Sequence, residues 1–545
     1  MDLNVLLLGD GPALPYVAIN LALLGVAAGR GSIFVLSKSS PLTPSLFEGQ
    51  FFFLRDFLGG NQKLPLSEAV MRGIRHWNPS VKVQLIDEID QYPYDAIIAV
   101  PGAEPLTVPD NKPVIYAGVT QYGFYVGAQK PKATGPFLPN ILTPSLSSAC
   151  GAVASQELLR ITRSIRVSEI QRFWLSLNYS FYSSAGVSDE KRRFSLGGFQ
   201  IRSFKDSVNE PTPIHRVPLD LSSDYAKILL GSVDVVEETP FLFHSPVRCF
   251  YYSPFFGNIL ENGEVIERAI SIPTIIENKE IILGGLGGLG SWIAALLAVS
   301  SFKGKLVLFD SDTQVEEHNL NRMILYNDKA VGLEKASAAR EALQRLNPSV
   351  TVSAFSHHVV PLTAFTRNLV MVHADLAIAA FDNFEARYVL GQWAAYNGVP
   401  LVNGGAERFV GDVEVIRPER SGCLSCVWER ELGINVAQSM SSSAEPVSCT
   451  REDPNSPDIG TAVVTTIAVV ASLQALLSVI VLTLPEFLYD HALGYFAKDN
   501  AIEKCRQKVQ DTDGRCSLHE GGPCGHPKEF FDKVYQSLGK IVEDG

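Results

Sequence analysis

"IILGGLGGLGSWIAALL", residues 281–297, sets a glycine-rich turn between an apolar run and an apolar, helix-like stretch. Such a turn carries a strand into a helix with bare backbone near whatever it faces, and the helix N-terminus beyond it favours an anion. Gly285, Gly287 and Gly290 give the GxGxxG spacing of a nucleotide-binding α/β unit. Asp310 ends the next apolar run and suits a pair of ribose hydroxyls. Nicotinamide dinucleotide and ATP both have such a pair, so neither the turn nor Asp310 chooses between them.

The pattern occurs twice. Residues 3–36, "LNVLLLGDGPALPYVAINLALLGVAAGRGSIFVL", run strand, glycine turn, apolar helix, Gly, strand, and residues 279–309 do the same. Each copy continues to a helical stretch ending in "NPSV", at 78–81 and again at 347–350. Then follow "YDAIIAV" against "ADLAIAAFDN", and "KPVIYAGVTQYGFYVG" against "VPLVNGGAERFVGDV". Both copies close on an apolar helix, "SSACGAVASQELLRIT" against "TTIAVVASLQALLSVI". Short β-branched runs alternating with helical patterns predict parallel α/β units. The chain therefore reads as two Rossmann-like lobes forming a pseudo-dimer, residues 1–178 and 279–498, with the apolar helices near the join. Residues 179–278 read either as an inserted substrate-binding subdomain or as a linker packed on both lobes, and 499–545 form a C-terminal tail.

Bulk properties agree. A chain of 545 residues exceeds one hydrophobic core, and 46% hydrophobic against 19% charged residues suits a globular protein. A net charge of −12 argues against a protein that coats nucleic acid or anionic membrane. The start, "MDLNVLLLGDGPALPY", lacks a basic n-region, and eight cysteines are too few for a disulfide scaffold, so a reducing cytoplasm is expected. "TAVVTTIAVVASLQALLSVIVLTL", residues 461–484, is long enough to span a bilayer. Without basic flanks, and with Thr, Ser and Gln inside it, it is expected to be a buried helix instead.

Downstream of the turn, "FDSDTQVEEHNLNRMILYNDKAVGLEKASAAR" supplies Asp310, Asp312, Asn319, Asn321, Arg322 and Lys335 within 26 residues. Acids with amides, Arg and Lys suit a phosphate chain whose charge must be neutralised, which hydride transfer does not require. The plainer alternative has Asn319 and Arg322 capping local turns and Lys335 solvated. Asp382 follows "LAIAAF", where a strand end meets the crevice of a parallel sheet, and reads as a Mg2+ ligand or a helix cap. Cys423 and Cys426 have zinc-knuckle spacing, with Cys516, His519 and Cys524 as further candidate ligands. The alternative is a pair of reduced, uncoordinated thiols. Cys449, in "AEPVSCTREDPNSPD", reads as a thioester or persulfide cysteine or as an incidental one.

Taken together, "GGLGGLG", "DSDTQVEEHNLNR", Lys335 after "VGLE", "AAFDN", "PLVNGGAERFVGDVEV" and "CLSC" resemble the ThiF/MoeB family, which includes the ubiquitin-activating enzymes. The resemblance implies ATP-dependent adenylation of a C-terminal carboxylate, on a small β-grasp protein or, in some relatives, a ribosomal peptide. It implies that Gly285, Gly287 and Gly290 underlie the nucleotide with Asp310 and Asp312 beside the ribose. It further implies Asn319, Arg322 and Lys335 on the phosphates, Asp382 as the Mg2+ and adenylation acid, and Asn383 on the cofactor. The zinc pattern that would staple the tail departs from the family's common CxxC…CxxC arrangement, the second pair having to read "CSLH" or borrow Cys524. The first lobe resembles the same fold without its chemistry: Asp10 and Pro12 stand in its turn, with Ser37 and Pro101 opposite Asp310 and Asp382. An inactive partner of this kind can lend an arginine, for which Arg55 is a candidate.

Overall fold

The computed structural model describes residues 3–28, 31–37, 64–89, 92–102, 107–108, 112–130, 132–133, 139–162, 250–255, 259–261, 264–356, 373–382, 384–407, 410–418, 423–424, 426, 463–487, 492–496 and 501–505. Strands β1 Asn4–Gly9, β2 Ser32–Leu36 and β4 Ala96–Val100 are runs with both faces buried, as parallel strands covered by helices must be. They join β3 Val83–Leu85, β5 Val114–Val119, β6 Phe124–Gly127 and β8 Phe250–Tyr252 in a seven-stranded sheet of order β3-β2-β1-β4-β5-β6-β8. Pairing is parallel from β3 to β5 and antiparallel from β5 through β8. Helices α1 Leu14–Leu23, α2 Leu66–Trp77 and α3 Thr143–Thr162 belong to this lobe. A small sheet of β7 Lys132–Ala133, β9 Ile259–Glu261 and β10 Glu264–Ile266 flanks it.

The second sheet repeats the order. Strands β11 Ile276–Gly284, β12 Phe302–Asp310, β13 Thr351–Ser356, β14 Leu376–Ala379, β15 Leu401–Glu407 and β16 Val410–Ile416 run β13-β12-β11-β14-β15-β16. Then β17 Ala492–Phe496 and β18 Ala501–Cys505 extend it antiparallel to eight strands. Its helices are α4 Gly288–Val299, α5 Lys335–Leu346, α6 Phe384–Tyr396 and α7 Val464–Thr483. Two ranges differ from the sequence reading. Residues 250–252, expected between the lobes, pair with β6 and complete the first sheet, and residues 501–505, expected in the tail, complete the second.

Helix α7 is long and apolar enough to cross a membrane by length and composition, yet Val464–Val481 are buried in protein throughout. One side packs on α3 and the other on α4, β15 and β16. An all-round apolar helix needs such a position, because it has no face to give to water. Helix α1 packs on α3 as α4 packs on α7, and a single apolar core runs through both lobes. At the α3–α7 contact Thr465 Oγ1 donates to Gln156 Oε1 at 2.7 Å and Ser472 Oγ to Ser148 Oγ at 2.8 Å.

Candidate active site

The carboxyl ends of β11, β12 and β14 lie at one edge of the second sheet, and the strand order reverses between β11 and β14. Such a switch point opens a crevice. The glycine turn sits there, and its three glycines do different work. At Gly285 φ is +87°, and a Cβ would lie 2.6 Å from the Ala380 carbonyl oxygen. At Gly290 a Cβ would lie 1.8 Å from the Gly285 oxygen, so that glycine lets α4 close on the turn. At Gly287 the nearest atom to such a Cβ is Met323 Cε at 3.7 Å. Two glycines are thus demanded by the chain itself, while a Cβ at Gly287 would make only ordinary contact. Helix α4 starts there with no side-chain cap and no acid in its first turn, so its first N–H groups can meet an anion.

Asp310 braces this turn. Its Oδ2 accepts the Leu286 N–H at 2.5 Å and its Oδ1 the Asp312 N–H at 2.8 Å. Burial pushes its carboxyl up to about 6 against the pull of the Lys335 ammonium, with Asp312 adding to the rise. Lys335 opens α5, is buried, and pairs with the exposed Asp312. Tyr326, absent from the sequence expectations, is buried: its hydroxyl donates to the Leu286 carbonyl at 3.0 Å and lies 3.4 Å from the Lys335 carbonyl. It ties the turn to the start of α5.

For Asn319 the capping alternative describes its side chain. Its Oδ1 accepts the Glu316 N–H at 3.1 Å in a reciprocal capping box, and the residue is buried. Arg322 Nη1 donates to the His318 carbonyl and to Asn321 Oδ1, both at 3.0 Å. The Arg322 carbonyl accepts the Trp292 indole N–H at 3.0 Å, fastening this loop to α4. Asp382 is exposed just beyond β14, two residues before α6. Asn383, Cys449, Cys516, His519, Cys524 and Arg55 lie outside the described residues.

Beneath Asp382 the sheet face toward α6 carries a buried polar cluster that no motif announced. Arg387 on α6 reaches the Phe381 and Gly404 carbonyls and Asn403 Oδ1. Asn403 Nδ2 donates to Glu414 Oε1 at 2.8 Å. Asp412 is buried with Oδ1 unpartnered among the described residues, and burial lifts it to about 7, with Arg387 drawing it down. The available signal was the polar alternation of "GDVEV" inside a strand otherwise expected to be apolar. Cys423 and Cys426 are buried with Sγ atoms 3.6 Å apart. Among the described residues no three His, Cys, Asp or Glu side chains are grouped to hold a metal.

In the first sheet a Cβ on Gly102 would lie 2.1 Å from Asp10 Oδ1, so the Asp10 carboxylate stands against that backbone, and Pro15 removes a donor from the first turn of α1. Gly9 pairs with Val100 as Gly284 pairs with Ala379.

Residues 274–517 match the profile of the ThiF family. A sulfur carrier protein adenylyltransferase of Thermus thermophilus is 33% identical over 160 residues, covering 28% of this chain and 57% of that protein. The SAMP-activating enzyme E1 of Haloferax volcanii is 32% identical over 151 residues, covering 28% and 54%. A ubiquitin-like modifier-activating enzyme 5 of Bombyx mori is 34% identical over 163 residues, covering 28% and 40%. The chain thus spans about half the length of these relatives. Among solved structures, E. coli MccB with AMPCPP and MccA superposes at a TM-score of 0.32 and 20% identity, over 42% of this chain and 63% of that one.

Proposed function

We propose that the chain is an ATP-dependent adenylyltransferase acting on the C-terminal carboxylate of a small protein or peptide. What supports the reading is the glycine turn at Gly287, braced by Asp310 and tied through Tyr326 to the start of α5 where Lys335 pairs with Asp312, within the segment that matches the ThiF family; the proposal assigns Arg322 and Asp382 to the same site. The acceptor carboxylate attacks the α-phosphorus of ATP. A carboxylate–phosphorus bond forms as the bond to the bridging oxygen breaks, and pyrophosphate leaves with the electron pair. The attacking group is already ionised near neutral pH, so no general base is needed. Charge builds on the phosphate oxygens, and Arg322 and Lys335 would offset it. Lys335 has three donors, so Asp312 can hold its ammonium while a phosphate takes another. Asp310, Asp312 and Asn319 shape the nucleotide side, and Asn383 adjoins Asp382 in sequence.

Asp382 suits Mg2+, which holds one or two carboxylates together with substrate phosphates and would neutralise charge on them. For zinc, the 3.6 Å between Cys423 and Cys426 sulfurs compares with about 3.8 Å between two thiolates on a tetrahedral ion. Cys516 with His519 or Cys524 would complete that set.

Two readings share the adenylation step. In one, the acceptor is a ubiquitin-like protein, and thioester or sulfur transfer through Cys449 passes it to a downstream acceptor protein. In the other, a ribosomal peptide is tailored by an amide, ring or P–N bond without a thioester. The organisation proposed with either is a pseudo-dimer, the first lobe an inactive copy supported by the shared strand order and the reciprocal packing of α1, α3, α4 and α7. Units near 1–178, 179–278, 279–498 and 499–545 and a cytoplasmic setting belong to this proposal.

ATP–pyrophosphate exchange with candidate peptides and small β-grasp proteins tests it. Asp382→Ala should abolish exchange with the melting temperature unchanged; retained exchange would remove Asp382 from the mechanism. Product formation lost in Cys449→Ala with exchange intact points to the thioester or sulfur route, and full product to peptide tailoring.

A further inference from the structure

Asp382 is exposed, and an exposed acid on a strand-end loop keeps a productive position only if its backbone is held. The segment before it is tied from three sides. Ala380 N–H donates to the Gly284 carbonyl at 2.8 Å, across to β11. Gln474 Nε2 on α7 donates to the Ala379 carbonyl at 3.1 Å from one face of the sheet. Arg387, at the end of the first turn of α6, works from the other face. Its Nη2 donates to the Phe381 carbonyl, and its Nη1 to Asn403 Oδ1 at 2.8 Å and to the Gly404 carbonyl at 2.7 Å.

The Phe381 carbonyl belongs to the peptide whose nitrogen is that of Asp382. The bond from Arg387 reaches this peptide plane directly. The guanidinium is buried, a position that costs several kcal/mol unless its hydrogen bonds are made. Its Nη atoms bond the chain just past β14 and the middle of β15, with the Asp412 carboxyl within reach of its charge and Nε unpartnered among the described residues. A planar fork bridging two strands is a task lysine cannot reproduce.

We propose that Arg387 is a positioning residue for Asp382, fixing the Phe381–Asp382 peptide against β15 so that the carboxylate faces the crevice. The clamp stands on geometry, and its effect on catalysis rests on the adenylation reading. Hydrogen–deuterium exchange and ATP–pyrophosphate exchange on the full chain carrying Arg387→Lys test both. Expected are faster deuterium uptake confined to residues 380–384 and a fall in kcat of about 10–100-fold, the usual cost of losing an outer-shell support. The KM for ATP should stay within about 2-fold, because the lost interaction acts in the transition state. In an Asp382→Asn background the same change should cost nothing further, since the two residues act as one unit.

A purely structural role would instead deprotect α6 and β15 together and lower the melting temperature, with kcat per folded molecule unchanged; that result overturns the proposal. So does unchanged protection at residues 380–384. If the parent chain exchanges pyrophosphate with no acceptor, the adenylation reading fails, and the protection of that segment alone decides the clamp. Should Arg387→Lys not fold, Arg387→Gln, which keeps one donor and no buried charge, takes its place with the same outcomes.

Discussion

At the scale of single residues, the buried acids of the second lobe make stability depend on pH in an uncommon direction. Asp310 rises from an ordinary 3.8 to about 6 and Asp412 to about 7, both chiefly through burial. A carboxyl raised in the folded state favours folding while it is protonated. That contribution is complete below about pH 4 and is lost as pH climbs through the folded values. The chain should therefore lose stability between about pH 4 and 7, by on the order of 3–4 kcal/mol from Asp412. Thermal melting at pH 5 and pH 8 checks this, and Asp412→Asn should flatten most of the difference. An unaltered slope in that variant would mean that Asp412 ionises normally. Sequence gave part of this scale. Lys335 and Asp312, both assigned to the nucleotide site, pair with each other, a contact their spacing does not announce. Asp310 was expected beside a ligand, yet both its oxygens already hold backbone N–H groups of the turn and of Asp312. Spacing names a carboxylate but does not count the donors that fold onto it.

At the scale of elements, the glycine turn separates what the fold needs from what a ligand needs. Gly290→Ala forces a Cβ to within 1.8 Å of the Gly285 carbonyl, so α4 must move off β11. A loss of about 1–3 kcal/mol or more is expected from such overpacking. Gly287→Ala meets nothing closer than 3.7 Å. Its melting temperature should change little while the KM for ATP rises about 10-fold or more, a steric cost to the ligand of about 1.4 kcal/mol. Calorimetric ATP titration of the two variants distinguishes them, and equal ATP affinity in Gly287→Ala and the parent would place the nucleotide elsewhere. Strands and helices were legible here because burial on both faces writes unbroken apolar runs, as in "NVLLLG" and "AIIAV". The Arg387 cluster was not, because two of its three acceptors are backbone carbonyls, at Phe381 and Gly404, that carry no residue signature. Nor were β8 and β18, short strands whose pairing depends on a sheet built by distant segments.

At the scale of the whole molecule, α7 packs between α3 of the first sheet's helices and α4 of the second's. Val464–Val481 are buried on every side, and one of those sides is made by α3, more than 300 residues earlier, as the Thr465–Gln156 and Ser472–Ser148 bonds show. Two sheets of like strand order answer the internal repetition in the sequence, and the uncharged run at 461–484 forms the helix that packs on both α3 and α4. The same run looks like a membrane span when read alone, because an unflanked apolar segment does not say whether lipid or protein covers it. The first lobe therefore contributes solvent exclusion, whatever else it does. Expressed as residues 268–545, the second lobe would present the α3-facing side of α7 to water as an apolar patch of the kind that drives aggregation. It should be recovered in the pellet, and co-expression with residues 1–267 should return it to solution. The full chain should be released without detergent. A second lobe that is soluble and monodisperse alone would show that α7 does not need α3, and a full chain extracted only by detergent would return α7 to the bilayer.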